Sequence, residues 1–204
     1  MLKRLLPLAV ACLVLVAGAG CAKDVSPAAR VAGTTISDSQ LNDEVSQWAH
    51  NKAAFDSAQL KALNPGTYPM SLVTVILQQR IDFTVSNKEF DALHLSITSQ
   101  DRDAALATLF QGDSSVAQQA LAGFTKSYST RYVDDLTKQY AVESRLGQAG
   151  YSAWRTTAYA DAHISVSPRY GSWDSTTQQV VAPKGPRLAP GETTTTAAST
   201  SATG

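Results

Sequence analysis

The chain has 204 residues, of which 44% are hydrophobic, with 17 Lys and Arg set against 17 Asp and Glu. That balance excludes the basic surplus that phosphate-backbone binding requires, so nucleic acid is not an expected partner. Two cysteines are too few for a disulfide-stapled scaffold, and the fold has to stand on its hydrophobic core.

The first residues, "MLKRLLPLAVACLVLVAGAGC", place Lys3 and Arg4 ahead of an apolar stretch and then three small residues, Gly18, Ala19 and Gly20. This is the layout of a secretory signal. "GAGC" resembles a bacterial lipobox, which implies cleavage before Cys21 and a diacylglycerol on its sulfur. Cys12 would leave with the signal, so no thiol remains for a disulfide. The expected organisation is a lipoprotein signal peptide at 1–20, a linker at 21–29, a helical domain at 30–181 and a disordered Thr/Ser/Ala/Pro tail at 182–204. The expected location is the outer face of the cytoplasmic membrane, held by the lipid on Cys21.

Between the ends lie about 150 residues, enough for one domain. "ARVAGTTIS" is short and β-branched, and predicts one strand over Arg30 to Ile36 with a kink at Gly33. Ser37 and Gln40 form a capping box for a helix that carries Leu41, Val45 and Trp48 on one face and fades near Phe55. "LNPGTYP" is a loop. Ser71 is expected to cap the next helix, with Val73, Ile76, Leu77, Ile81 and Val85 as its apolar stripe and its end at Asp91 to Leu93. "HLSIT" is an extended link, and Thr98 with Asp101 opens a third helix whose buried side is Ala105, Leu106, Leu109 and Phe110.

Gly112 is expected to stop that helix. Ser114 or Ser115 starts a fourth, carrying Val116, Ala120, Leu121 and Phe124. A fifth helix is predicted from about Tyr128 to Leu146, with Tyr132, Val133, Leu136 and Tyr140 on one side, closed by Gly147 and Gly150. "YSAWRTTAYA" continues as a short helix. "HISVS" alternates as a half-buried strand, with Ile164 and Val166 on its apolar face, and Pro168 ends its pairing. The expected fold is mainly α, with five or six helices. A small antiparallel pairing of the segment near Val31 with the segment near Ile164 brings the two ends of the domain together.

This order resembles a known family. "ARVAGTTISDSQLNDEV" resembles the opening of the SurA-like and PrsA-like chaperones: a short strand, a Gly turn, an apolar residue before a capping Ser, and a helix. "VILQQRIDFTVSNKEFDALHLSITSQDRDAAL" resembles their second signature, an apolar-faced helix followed by a short link and a capped acidic helix start. The resemblance spans about residues 28 to 147, and "PRYGSWD" looks like the last segment of actinobacterial lipoproteins of this group. It departs at Ala32, where the family has Asn, and at Arg80–Ile81, where it has an apolar pair. The resemblance implies a SurA N-terminal, trigger-factor-like chaperone module that holds unfolded or partly folded exported polypeptides.

Many relatives of that kind carry a parvulin isomerase domain, and "AHISV" resembles its first strand. A parvulin domain is on the order of a hundred residues. Only 41 residues follow His163, and neither a second His nor the Gly-rich turn is among them. The expected product is therefore a holdase that is not an enzyme. The alternative is a structural or assembly lipoprotein that binds one specific folded partner. The histidines, His50, His94 and His163, have no metal-ligand spacing, so neither a metal nor a cofactor is expected. No G-x-S-x-G elbow supports a hydrolase. Trp48 is expected in the core, Trp173 on the paired β-segments, and Arg169 against free carbonyls. Trp154, Tyr132 and Tyr140 are the candidate peptide-binding residues.

Overall fold

The computed structural model describes residues 27–51, 68–109 and 112–183. The signal, Cys21 and the tail from residue 184 on lie outside them, as do Phe55 and Phe110.

The chain opens with two strands. β1 (Pro27–Val31) and β2 (Thr34–Ser37) form an antiparallel hairpin in which Val31 pairs with Thr34. Ala32 and Gly33 turn it, with φ of 51° and 84°. Positive φ at both central residues is what a type I′ hairpin turn demands, and it reverses the chain where a single kinked strand was expected. β1 also begins at Pro27, inside the stretch assigned to the linker.

α1 (Asp38–His50) starts as the pattern predicts. Ser37 Oγ accepts from the Gln40 amide at 3.1 Å, and Gln40 Oε1 accepts from the Ser37 amide at 3.0 Å. α2 (Met70–Ala92) is the axis of the molecule. Its predicted stripe is buried, but Leu72, Phe83, Ser86 and Phe90 on its other sides are buried as well. A helix buried on several sides, with Val75 on it 57% exposed, carries little amphipathic signal. Its N-cap is Pro69 rather than Ser71: the Pro69 carbonyl accepts from the amides of Leu72 and Val73. At its other end the Leu95 amide bonds to the Phe90 carbonyl and the His94 amide to that of Asp91. Leu95 packs on Phe90, which completes a Schellman-type stop with His94 in the left-handed position.

α3 (Ser99–Leu109) opens on the predicted Thr98–Asp101 box, with both reciprocal bonds formed. Ala105 is buried and Leu106 half-buried. α4 (Ser114–Ala122) starts at Ser114, one of the two serines expected to start it, and is capped by Asp113, whose carboxylate accepts from the amides of Ser115 and Val116. Val116 on it is 45% exposed, while Ala117 and Ala120 are buried. α5 (Lys126–Asp161) starts two residues before Tyr128 and is two helices joined at a kink, the first closing at Gly147 as expected and the second running on to Asp161. Gly147 bends it, with φ 66° and ψ 167°, in a region that only glycine visits readily. A Cβ there would meet nothing within 4 Å, so backbone conformation alone selects glycine. Gly147→Ala is expected to cost about 1–3 kcal/mol in a urea titration. An unchanged midpoint would show that the helix bends without it.

β3 (Ser165–Val166) pairs antiparallel with β1, Ala29 opposite Val166 and Arg30 opposite Ser165, giving a sheet of order β2-β1-β3. This is the expected closure of the two ends. The amide of Ser167 still reaches the Ala28 carbonyl at 2.9 Å before Pro168 ends the pairing. A second hairpin, β4 (Ser172–Asp174) with β5 (Gln179–Val181), follows where none was expected.

The core has three parts. The largest wraps α2 with Val31, Ile36, Leu41, Val45, Tyr159, Tyr170 and Val180. The second is aromatic: Phe83, Phe124, Tyr128 and Tyr132, with Trp48 half-buried against them. The third gathers Ala141, Val142, Leu146, Tyr151 and Trp154 around Phe90, across the bend in α5.

Candidate functional site

The bend at Gly147 has a consequence on the surface. Beyond it, α5 runs alongside the C-terminal half of α2 and leaves a groove of about 340 Å³ between them. That is the low end of the range for ligand pockets. Val85 and Ala92 form one wall, Trp154 and Ala158 the other, and Ala32 with Ala162 closes one end. The turn residue is fixed there by its amide, which donates to the Ala162 carbonyl at 2.6 Å. The hollow exists because alanines sit where longer side chains would fill it. Trp154 is half-buried, stacked on Tyr151 at 5.2 Å between ring centroids and packed toward Phe90. Lys88, Glu89 and Asp161 stand on the rim, and none makes an ion pair among the described residues.

No family model, curated protein or solved structure matches this chain. The site therefore has to be judged by its own geometry.

The three candidate peptide-binding residues do not converge. Trp154 lines the groove. Tyr132 is 3% exposed inside the aromatic cluster, edge-on to Trp48 and Phe83, and its hydroxyl accepts from Gln79 Nε2 at 3.3 Å. Burial pushes that hydroxyl up to about 12. Tyr132 is thus a core residue with no face to offer a peptide in this arrangement. Tyr140 is half-buried and belongs to none of the three clusters. Cys21 lies outside the described residues.

Trp48 bridges the first two clusters, its indole donating to the Tyr128 hydroxyl at 2.6 Å. Trp173 does not pack on the β1–β3 pair alone: it stacks on Tyr159 at 5.8 Å and 13°. Arg169 finds no free carbonyl. Its guanidinium pairs with Asp38 at 2.7 Å, because the end pairing brings Pro168 beside the start of α1.

Two buried polar knots escaped the sequence pattern. In the first, Arg80 lies between Asp135 at 2.7 Å and Glu44 at 3.6 Å. Asn87 donates to Asp135 at 2.7 Å and Arg131 to Glu44 at 3.0 Å. Burial holds the Glu44 carboxyl above its usual range against the pull of Arg80. In the second, the Tyr159 hydroxyl and Gln78 Nε2 both donate to Asp82 Oδ1. Gln78 Oε1 accepts from the Val180 amide at 2.8 Å, tying the β4–β5 hairpin to α2. Burial raises the Asp82 carboxyl as well. Neither knot opens onto the groove.

The histidines stay apart in role. His50 bonds to the Ser46 carbonyl at 2.7 Å, and His94 and His163 are exposed residues with positive φ just past helix ends. Among the described residues no group of three or more His, Cys, Asp or Glu is placed to hold a metal ion. No helix among them is long and apolar enough to cross a membrane.

Proposed function

We propose that this chain is a lipid-anchored chaperone of the cell envelope. It is a holdase without isomerase activity, of the SurA-like and PrsA-like kind, tethered through Cys21 to the outer face of the cytoplasmic membrane. Its partners are unfolded or partly folded exported polypeptides. The observation that carries this reading is the groove between α2 and the second half of α5. Its walls are the apolar faces of Val85, Trp154 and Ala158, and unpaired charges stand only on its rim. An extended chain laid there exchanges water for apolar contact at its side chains and keeps its backbone wet at the rim. A small, open apolar site with few polar anchors favours short apolar segments of many sequences over one shaped ligand.

The test is aggregation suppression by the mature protein on two unrelated unfolded proteins. Suppression of both is expected, with a several-fold loss in Trp154→Ala. Ala92→Trp fills the groove from an exposed helix-end position and removes no core contact, so it should lose suppression with an unchanged melt. If both unfolded proteins aggregate unhindered and the protein co-purifies with one folded partner, the dedicated assembly lipoprotein is the correct description.

A further inference from the structure

We propose that the cleft between β1 and β3 docks the domain onto the phosphate headgroups of an anionic membrane, a role that rests on the tether at Cys21. The cleft holds about 290 Å³ and is lined by Pro27, Arg30, Ser165, Ser167 and Arg169, among others. Its lining is of one sign, two guanidiniums and no carboxylate.

Arg30 belongs, with Lys88, Lys126, Arg145 and Arg155, to the cations that make no ion pair among the described residues, and it alone of these lines a cleft beside a second guanidinium. Arg80, Arg102, Arg131 and Lys138 are each held by a carboxylate. Arg30 is exposed and has no ion pair or side-chain hydrogen bond among the described residues. Register places it directly opposite Ser165. Arg169 is anchored by Asp38 through Nη1, and its side chain remains 56% exposed. That bond uses one donor of five, and the planar fork keeps the rest for a second anion. Guanidiniums meet phosphate oxygens in paired, charge-assisted bonds, and the two serine hydroxyls add neutral donors beside them.

Position along the chain supplies the partner. Pro27, the first residue of β1, lines the cleft and follows Cys21 by six residues. Six residues span at most about 20 Å. A lipid on Cys21 therefore keeps this cleft within reach of the headgroups, whichever way the domain tumbles. A basic patch beside an acyl anchor is the two-signal arrangement that makes membrane attachment firm. Each basic side chain close to an anionic surface is worth about fivefold in partitioning.

The experiment uses the mature lipidated protein on vesicles of phosphatidylcholine, alone or mixed with phosphatidylglycerol, with amide exchange at 28–30, 165–167 and 169 as the readout. Protection is expected on the mixed vesicles and not on the neutral ones, and it should fade in high salt. Arg30→Gln, which breaks no contact in the fold, should weaken it about fivefold, and adding Arg169→Gln should weaken it further. Equal protection on both vesicles, or none of this dependence on Arg30, overturns the proposal. So does protection by inorganic phosphate on neutral vesicles that matches the anionic lipid, since the ligand is then the free ion. Protection by an acidic peptide in place of lipid overturns it too. Protein that floats with neither vesicle refutes the tether, and the cleft's role falls with it. Flotation on both without anion-specific protection refutes the cleft alone.

Discussion

Arg80→Met is expected to destabilise the domain by about 3–5 kcal/mol at neutral pH, the cost of removing one partner from a buried ionic group. Methionine keeps much of the stem's volume, so the loss isolates the charge. Asp135 would keep only Asn87, and Glu44 only Arg131, while the two carboxylates remain 9% and 7% exposed. The deficit should depend on pH with a definite sign. Losing the cation raises the pKa of the Glu44 carboxyl further in the folded state, because Arg80 is the largest influence that lowers it. A raised group contributes stability that is fully present below its unfolded pKa and is lost as pH rises through the folded one. The variant should therefore lag its parent most at pH 7, and the gap should narrow as pH falls toward about 4. Urea midpoints at both pH values measure this. A deficit of the same size at each would mean that packing, not charge, was lost. In the parent, Glu44 and Asp82 are already raised by burial and favour mild acid. Asp101, Asp113 and Asp174 are lowered by hydrogen bonds and act the other way, their contribution fading as pH falls below the ordinary carboxylate range.

Ending the chain after Asp161 should abolish cooperative folding. The truncation removes Ala162, whose carbonyl fixes the Ala32 turn, and Val166, which pairs with Ala29. It also removes the buried Tyr170 and Val180 and the Trp173 ring that covers Tyr159. Each large apolar side chain contributes about 1.5–3 kcal/mol. Their sum, with the orphaned edge of β1, rivals the roughly 5–15 kcal/mol that keeps a domain folded. Tyr159, which donates to Asp82, would lose the Trp173 ring stacked on it, and α2 its link through Gln78 to β5. A chain ending at Pro183 retains every contact described above and should melt with the parent. Thermal melts of the two decide the matter. A sharp transition at the parental temperature in the shorter one would show that the closing segments are ornament on a self-sufficient helical core.

Local signals were legible in the sequence. The Ser37–Gln40 and Thr98–Asp101 boxes are spaced three residues apart, so the partners of each bond lie within one turn of chain. The inner stripe of α2 was visible because burial on one side imposes a helical period on neighbours. The closing β-pair followed from two short alternating segments that each needed a partner. Other features were not local. The start of α4 at Ser114 was legible but its cap was not: in a run of Asp113, Ser114 and Ser115 similar residue types compete for that place, and the Asp113 carboxylate reaches two amides at once. Nothing in "VAGT" resembles the usual Asn-Gly turn, since Ala32 is held at φ 51° by a bond to Ala162, 130 residues on. β5 is a strand because Gln78 and Tyr159 give it a surface to dock on, and it has little pattern of its own. The buried knot joins Glu44, Arg80 and Asp135, charges that in sequence belong to solvated helix faces. The groove is the furthest from the sequence of all. It is a lack of volume, produced by alanines on α2, α5 and the hairpin turn that only the bend at Gly147 brings to face one another. Caps and periods are set by neighbours within a turn, whereas desolvation, close approach and empty space are properties of residues that meet only after the chain has folded.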